Sequence, residues 1–377
     1  MNREKFLRKC PGCGAELQFD RPGVLGFIPL DVYNKRLSEG KEILCQRCFK
    51  LKHYGMLIEE IDEEEILDFL KKFLNKFQSV MYVIDILDFE GTYRTEINEM
   101  IKDKNVIYVV NKFDALPKFV SAKQLKKWLT ERILSVKEGK NKIFVTSTKN
   151  GFGISKLKET LERMAGEMLV IGVTNVGKSS LLKMLVSSKA TVSPYPGTTV
   201  GVIKHKIGNL KIFDTPGIMV NDRMIDLFDV VCQGQILARG TITRKTFKPK
   251  SNEVLFVGGF CRIQAELVDN PNFKPIFQIY APENVTFHKT SNPDFLENYQ
   301  KHFGRLLTPP CSKYDISKIK FKTVVLNVDE GSEISIPGLC WINIKRGISR
   351  FYIHLPENVS VYIRPALIKP QRKVNKN

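Results

Sequence analysis

The chain has 377 residues, 43% of them apolar, and carries 59 Lys and Arg against 40 Asp and Glu, a formal net charge of +19. That length allows two or three domains with a sizeable core, and no apolar run reaches the ~18 residues of a membrane span. The basic excess points to a polyanionic partner, nucleic acid first and anionic membrane second, and the charged opening Met1–Lys9 lacks a signal-peptide core, so a cytoplasmic location is expected.

Cys10-x-x-Cys13 and Cys45-x-x-Cys48 form two knuckles that can aim their thiolates at one tetrahedral zinc ion. In a reducing compartment this reading is preferred to disulfides. Arg8, Lys9, Arg47, Lys50, Lys52 and His53 crowd the knuckles, so the module is either a scaffold or a phosphate-contacting surface. Cys232, Cys261, Cys311 and Cys340 show no ligand spacing and are expected as small buried hydrophobes. The acidic run from Glu59 to Glu65 is expected to be a solvated first helical turn.

Val80–Asp85 and Asn105–Val110 are apolar, β-branched runs that suit a parallel sheet covered on both faces. A helical segment, Ala122–Lys137, and a short strand, Lys142–Val145, follow. Asn111-Lys112-Phe113-Asp114 therefore leaves a strand at its C-terminal end, where open α/β sheets bind ligands. Its N-K-x-D form selects guanine: Asp114 can accept from N1–H and the 2-amino group, Lys112 lies along the base, and Asn111 braces the loop. Thr146 and Ser147, after the next strand, are placed as a second base-contacting loop.

Glu167–Gly172 is a further strand, and Gly172-Val173-Thr174-Asn175-Val176-Gly177-Lys178-Ser179 leads from it into the helix Lys178–Val186. Strand, glycine-rich loop and helix together make a phosphate-binding loop. Gly172, Asn175, Val176, Gly177 and Ser180 belong to the cradle; Lys178 reaches the β- and γ-phosphates and Ser179 ligates Mg²⁺. In Pro196-Gly197-Thr198-Thr199 one threonine meets Mg²⁺ and the γ-phosphate, Thr199 by choice and Thr198 as the alternative. Asp214-Thr215-Pro216-Gly217 closes the set, with Asp214 on Mg²⁺ through water and the Gly217 N–H on the γ-phosphate, a contact that exists only before hydrolysis. Lys178, Thr199 and Gly217 are the candidate catalytic residues.

Ile218 stands where Ras-like enzymes place a glutamine that orients the attacking water. Either the enzyme is slow alone and needs a partner, or a cation supplies the missing charge. Asn175 can help coordinate a potassium ion; equally, it can simply shape the loop.

From Glu253 onward the pattern changes to short alternating strands: Glu253–Phe260, Phe277–Ala281, Lys322–Val328, Cys340–Ile344 and Phe351–Leu355, an antiparallel β module. Pro282-Glu283-Asn284-Val285-Thr286-Phe287 recurs as Pro356-Glu357-Asn358-Val359-Ser360-Val361, as two related strand–turn–strand units would require. Arg239, Arg244, Lys245, Lys248 and Lys250 form a basic stretch, Lys369, Arg372, Lys373 and Lys376 a basic tail. With Tyr280, Phe287, Trp341, Tyr352 and Tyr362 interleaved, these suit RNA stacking and phosphate contact; the alternative is that the aromatics are core.

The guanine box precedes the phosphate loop, the reverse of the usual order. In that order, together with the paired C-x-x-C, Cys45–Phe49, Pro196–Thr199 and Leu306-Leu307-Thr308-Pro309-Pro310, the chain resembles the circularly permuted GTPases, most closely the YqeH-type bacterial ribosome-assembly GTPases. The resemblance implies a cytoplasmic GTPase that binds GTP/GDP with Mg²⁺, is stimulated by K⁺ and acts on the 30S subunit and its 16S rRNA. The fold expected is α/β: a circularly permuted P-loop GTPase domain over residues 59–230, an N-terminal four-Cys zinc module over 1–58 and a C-terminal mainly-β, RNA-binding domain over 231–377. A monomer without stable membrane association is expected. The competing readings are a signalling or membrane-associated GTPase without an RNA role, and an ATPase, which Asp114 disfavours.

Overall fold

The apolar runs around the guanine and phosphate boxes assemble one sheet in the computed structural model, which describes residues 10–11, 16–21, 26–41, 43–46, 70–71, 73–133, 141–186, 193–194, 202–237, 240–268, 274–317 and 319–369. Its strands are β1 (Ser79–Asp85), β2 (Asn105–Asn111), β3 (Lys142–Val145), β4 (Ala165–Ile171), β5 (Ser193–Pro194), β6 (Ile203–Ile207) and β7 (Asn209–Asp214). They lie in the order β3-β2-β1-β4-β7-β6-β5. β3, β2, β1, β4 and β7 are parallel, while β6 and β5 add an antiparallel edge. Val80 to Ile84 are fully buried, as a strand covered on both faces requires. β1 is thus the middle one of the five parallel strands, and it separates the guanine-box strand β2 from the phosphate-loop strand β4. The helix after β2 spans Ala122–Arg132, and its continuation lies outside the described residues.

The C-terminal strands are β8 (Thr243–Phe247), β9 (Val254–Val257), β10 (Cys261–Leu267), β11 (Ile276–Ala281), β12 (Phe287–Thr290), β13 (Phe321–Asn327), β14 (Ser332–Ile336), β15 (Cys340–Arg346), β16 (Ile348–Pro356) and β17 (Tyr362–Pro365). They form two five-stranded sheets, β12-β9-β10-β16-β13 and β17-β14-β15-β11-β8. Advancing the first five strands by five positions, and moving the last five back by five, converts one order into the other. The module is therefore an internal duplication. The repeated Pro-Glu-Asn-Val segments make the same turn in both halves: the Val285 N–H donates to the Pro282 carbonyl (3.1 Å) and the Val359 N–H to that of Pro356 (3.0 Å). A second echo, Gly259-Phe260-Cys261-Arg262-Ile263 against Gly338-Leu339-Cys340-Trp341-Ile342, occupies the equivalent β9–β10 and β14–β15 turns.

One hydrophobic core fills the seven-stranded sheet and a second fills the β module. Met224, Ile225, Phe228, Cys232 and Ile236 already belong to the second core, so the chain joins the β module a few residues after Gly217. Cys232 and Cys311 form a disulfide across 79 residues. This corrects their reading as separate buried hydrophobes; a pair so distant leaves no spacing signal. Cys261 and Cys340 are buried, as expected.

The two cores are locked together by ions and aromatics. Arg364, 1% exposed, pairs with Glu333 at 2.6 Å and with Glu90 of the GTPase domain, which Arg132 also approaches at 3.1 Å. The guanidinium of Arg364 lies against the rings of Trp128 (5.2 Å) and Trp341 (4.8 Å). The Trp128 indole N–H donates to the Pro365 carbonyl (2.9 Å) and that of Trp341 to the Leu87 carbonyl (3.0 Å). The helix Ala122–Arg132 is thus a docking surface, through Trp128 and Arg132. Trp341 and Tyr280, read above either as RNA-stacking rings or as core, are buried in this contact, as the core reading requires. Removing one partner of a buried pair strands the others, so Arg364→Leu should lose about 3–5 kcal/mol in urea unfolding. A loss below about 1 kcal/mol would show the pair to be dispensable.

Candidate nucleotide site

Asn111 ends β2 fully buried and bridges three loops. Its Nδ2 donates to the Val176 carbonyl (3.0 Å), and its Oδ1 accepts from the Thr148 N–H (3.2 Å) and the Thr146 hydroxyl (3.5 Å). Gly177 must be glycine for two reasons: its φ is +89°, and a Cβ there would meet Asn111 Nδ2 at 2.4 Å. Lys112 and Asn175 both take left-handed backbone, φ 67° and 69°, a strain concentrated at the two loops that face the nucleotide. Lys112 Nζ donates to Asp85 Oδ2 at 2.5 Å. Asp114 accepts from the Ser147 hydroxyl (2.6 Å), which itself accepts from the Lys149 and Asn150 N–H groups (3.2 Å each). Asn111 is therefore joined to Thr146 and Asp114 to Ser147, while Lys112 is held by Asp85.

The phosphate loop enters the helix Lys178–Leu185 through Gly177. Gly172 sits so close to β1 that a Cβ would lie 2.7 Å from the Val83 carbonyl. Ser179 and Ser180 are exposed at the helix start. Lys178 is 7% exposed; its Nζ donates to the Thr215 carbonyl and lies 3.5 Å from Asp214 Oδ1. Burial pushes the Lys178 ammonium pKa down and the Asp214 carboxyl pKa up. Asp214 Oδ1 is buried without a hydrogen bond, the kind of oxygen a bound cation, directly or through water, would satisfy. Ser179, the residue after Lys178, is exposed, and a hydroxyl with a carboxylate is a donor set that fits Mg²⁺. Thr198 and Thr199 lie outside the described residues, as do Cys13 and Cys48. Cys10 and Cys45 are brought together, the Cys45 N–H donating to Cys10 Sγ at 3.3 Å.

Gly217 packs on the phosphate loop, where a Cβ would stand 3.0 Å from Thr174 Cγ2. The next residue zips the two segments: the Ile218 N–H donates to the Gly172 carbonyl (2.9 Å) and the Thr174 N–H to that of Ile218 (3.0 Å). The Ile218 side chain is 1% exposed, so it anchors the switch segment in the core instead of facing a water. The chain past Gly217 runs against the phosphate loop on its way to the β module. Arg223, 2% exposed, donates from Nη2 to the Thr174 hydroxyl (3.0 Å). Asn175 Nδ2 approaches Gln233 Oε1 at 3.4 Å. A cavity lined by Asp85, Lys112, Asn175, Arg223, Tyr280 and Trp341 opens between this site and the β module.

Sequence reasoning missed Asp85, Asp88 and Arg223. Asp85 and Asp88 carried a usable signal, since acids at or just past the C-terminal end of a buried strand stand where α/β sheets place ligand-facing groups. Arg223 carried none, because its role depends on which carboxylates the fold brings to it. An Asp114→Asn substitution should move nucleotide preference from guanine toward xanthine, read by competition binding with GDP and XDP; unchanged GDP preference would remove Asp114 from the base contact.

Residues 167–253 match the family model described as 50S ribosome-binding GTPase, and residues 274–367 match the YqeH-like, C-terminal model. The chain is 27% identical over 373 residues to uncharacterized protein YqeH of Bacillus subtilis, covering 95% of this chain and 99% of that one. It is 26% identical to NO-associated protein 1, chloroplastic/mitochondrial, of Arabidopsis thaliana, over 95% of this chain and 76% of that one. Among solved structures, YjeQ from Thermotoga maritima aligns with 44% of this chain and 58% of its own at 23% identity and a TM-score of 0.26, too low to bear on the fold. The chain thus joins a GTPase domain, whose guanine-box strand precedes its phosphate-loop strand, to a YqeH-like C-terminal domain, and is a homologue of YqeH.

Proposed function

We propose that this GTPase is a nucleotide-dependent switch in assembly of the small (30S) ribosomal subunit, and that its nucleotide state sets its grip on 16S rRNA. One observation carries the reading: Asp214–Gly217 runs within a few residues into the core of a basic β module. A group that senses the γ-phosphate and a surface that could hold RNA are therefore one continuous piece of chain. Arg244, Lys245, Lys248 and Lys250 lie on or beside the edge strand β8, and Lys245 Nζ sits 4.9 Å above the Phe287 ring. That is the mixture of cation and aromatic that single-stranded RNA favours. Arg239 and the tail residues Arg372, Lys373 and Lys376 lie outside the described residues. The GTPase family model is described by the large subunit, whereas the resemblance to YqeH-type GTPases points to the small one, and the test below separates them.

In this reading Asn111, Lys112, Asp114, Thr146 and Ser147 hold guanine. Lys178 and the loop amides from Asn175 to Ser180 hold the phosphates, and the Gly217 N–H meets the γ-phosphate. Ser179, Asp214 and Thr199, with Thr198 as the alternative, hold Mg²⁺, which supplies charge neutralisation at the transferred phosphoryl group. The protein acts in the cytoplasm as a monomer; among the described residues no helix is long and apolar enough to cross a membrane.

Cys10, Cys13, Cys45 and Cys48 bind zinc in this reading. An N–H donated to Cys10 Sγ supports it, since such a bond favours the thiolate a metal needs. Metal analysis of the purified protein should find one zinc per chain, lost in Cys45→Ser; equal zinc in both would remove the site. Asn175 serves a potassium ion, supported by its exposed side chain on the phosphate loop and by the absence of a polar group at Ile218. Hydrolysis should therefore be slow in Na⁺ and faster in K⁺, and equal rates would leave Asn175 only its loop-shaping role. Sedimentation with purified subunits should show 30S binding that differs between GDP and a non-hydrolysable GTP analogue. Binding to 50S alone, or no dependence on nucleotide, would overturn the assembly-switch reading.

A further inference from the structure

We propose that Arg223 is a positioning residue that sets the phosphate loop at Thr174 and ties that setting to the β module. Its guanidinium is almost wholly buried and contacts three elements at once. Nη2 donates to the Thr174 hydroxyl at 3.0 Å, and Nη1 approaches the Thr174 carbonyl at 3.4 Å. Nε and Nη2 each donate to Asp226 at 2.6 Å, and Nη1 lies 3.5 Å from Asp88 Oδ2. The fit is close: a Cβ on Gly91 would stand 2.7 Å from Arg223 Cδ. Only a planar fork satisfies a hydroxyl and two carboxylates together, so lysine is not an equivalent here.

The far ends of these contacts lie on the β14–β15 turn. Asp88 Oδ1 accepts from the Gly338 N–H at 3.0 Å, and the Met224 N–H donates to the Pro337 carbonyl at 2.8 Å. Gly338 has φ +69°, and a Cβ there would stand 2.8 Å from the Ile225 N. Asn175, next to Thr174, reaches Gln233 ten residues further along the same segment. Two consecutive phosphate-loop residues are thus held by side chains of 223–233, and that segment packs in the core of the β module.

A buried guanidinium costs more than its pairs return unless all its partners stay in place. Movement of the phosphate loop at Thr174 and movement of the β14–β15 turn therefore disturb the same ion group. By linkage, a nucleotide that fixes the loop must also tighten the turn. An ordinary buried ion pair would affect stability alone; this one should affect nucleotide affinity and a remote amide together.

The test is hydrogen exchange of the peptide spanning Ile336–Leu339 in the full chain, with and without Mg²⁺–GDP, beside GDP affinity by titration. In the unsubstituted protein GDP should slow exchange there. Arg223→Lys should bind GDP at least about tenfold more weakly and lose the GDP-dependent slowing. Affinity within about twofold of the unsubstituted protein, or slowing that persists, would overturn the proposal. Should Arg223→Lys fail to fold, Thr174→Val removes the hydroxyl acceptor and leaves the Arg223–Asp226 pair. The same two losses are expected of it, and its behaving as the unsubstituted protein would overturn the proposal equally. Neither readout involves RNA, so failure here and failure of the assembly reading are distinct results.

Discussion

Parallel pairing of Ser79–Asp85 with Asn105–Asn111 on one side and with Met168–Ile171 on the other is the constraint on which the rest depends. It brings a guanine box and a phosphate loop from distant parts of the chain to the same end of one sheet. Asp85 ends that central strand and pairs with Lys112 of the guanine box. Because the strand comes first in the chain, its continuation, Ile86–Thr92, is not needed to lead into the nucleotide loops. The fold uses it as a dock. Leu87 accepts from Trp341, Asp88 from Gly338, and Glu90 pairs with Arg364.

The same constraint decides what happens after Gly217. The strand that would return the chain into the sheet is already occupied by residues 79–85, so the segment runs out along the phosphate loop and into the second core. It is held on both sides on the way: Arg94 pairs with Asp222 at 2.7 Å, and Asn358 Nδ2 donates to the Asn221 carbonyl at 2.7 Å. The outcome is a connection held by contacts from both domains. Burial raises the Asp88 carboxyl to about 6, although Arg223 and the Gly338 amide pull it the other way.

Much of this was legible in the sequence, and the physical reason differs by element. The buried parallel strands announce themselves because both faces demand apolar residues, so the runs at 80–85 and 105–110 appear almost to the residue. The phosphate loop is legible because glycine is needed at Gly177 for both φ and contact. The β module was legible as alternation but not as a duplication of five strands, since short edge strands such as Thr243–Phe247 are too polar to stand out. Its aromatics left two readings open, because sequence cannot tell an exposed ring from one buried against another domain; for Trp341 and Tyr280 the core reading holds. Arg223, Glu333 and Arg364 were invisible for a related reason. A buried ion is defined by partners that lie far away in the chain.

Nucleotide state, on this account, moves the β module relative to the phosphate-loop helix through the segment that joins them. The direct measurement is the distance distribution between spin labels placed biorthogonally at Met184 and Val325, both exposed, by pulsed electron resonance. The account expects the distribution to shift when GDP is exchanged for a non-hydrolysable GTP analogue with Mg²⁺, and the shift to vanish in Arg223→Lys. Identical distributions in the two nucleotides would contradict it.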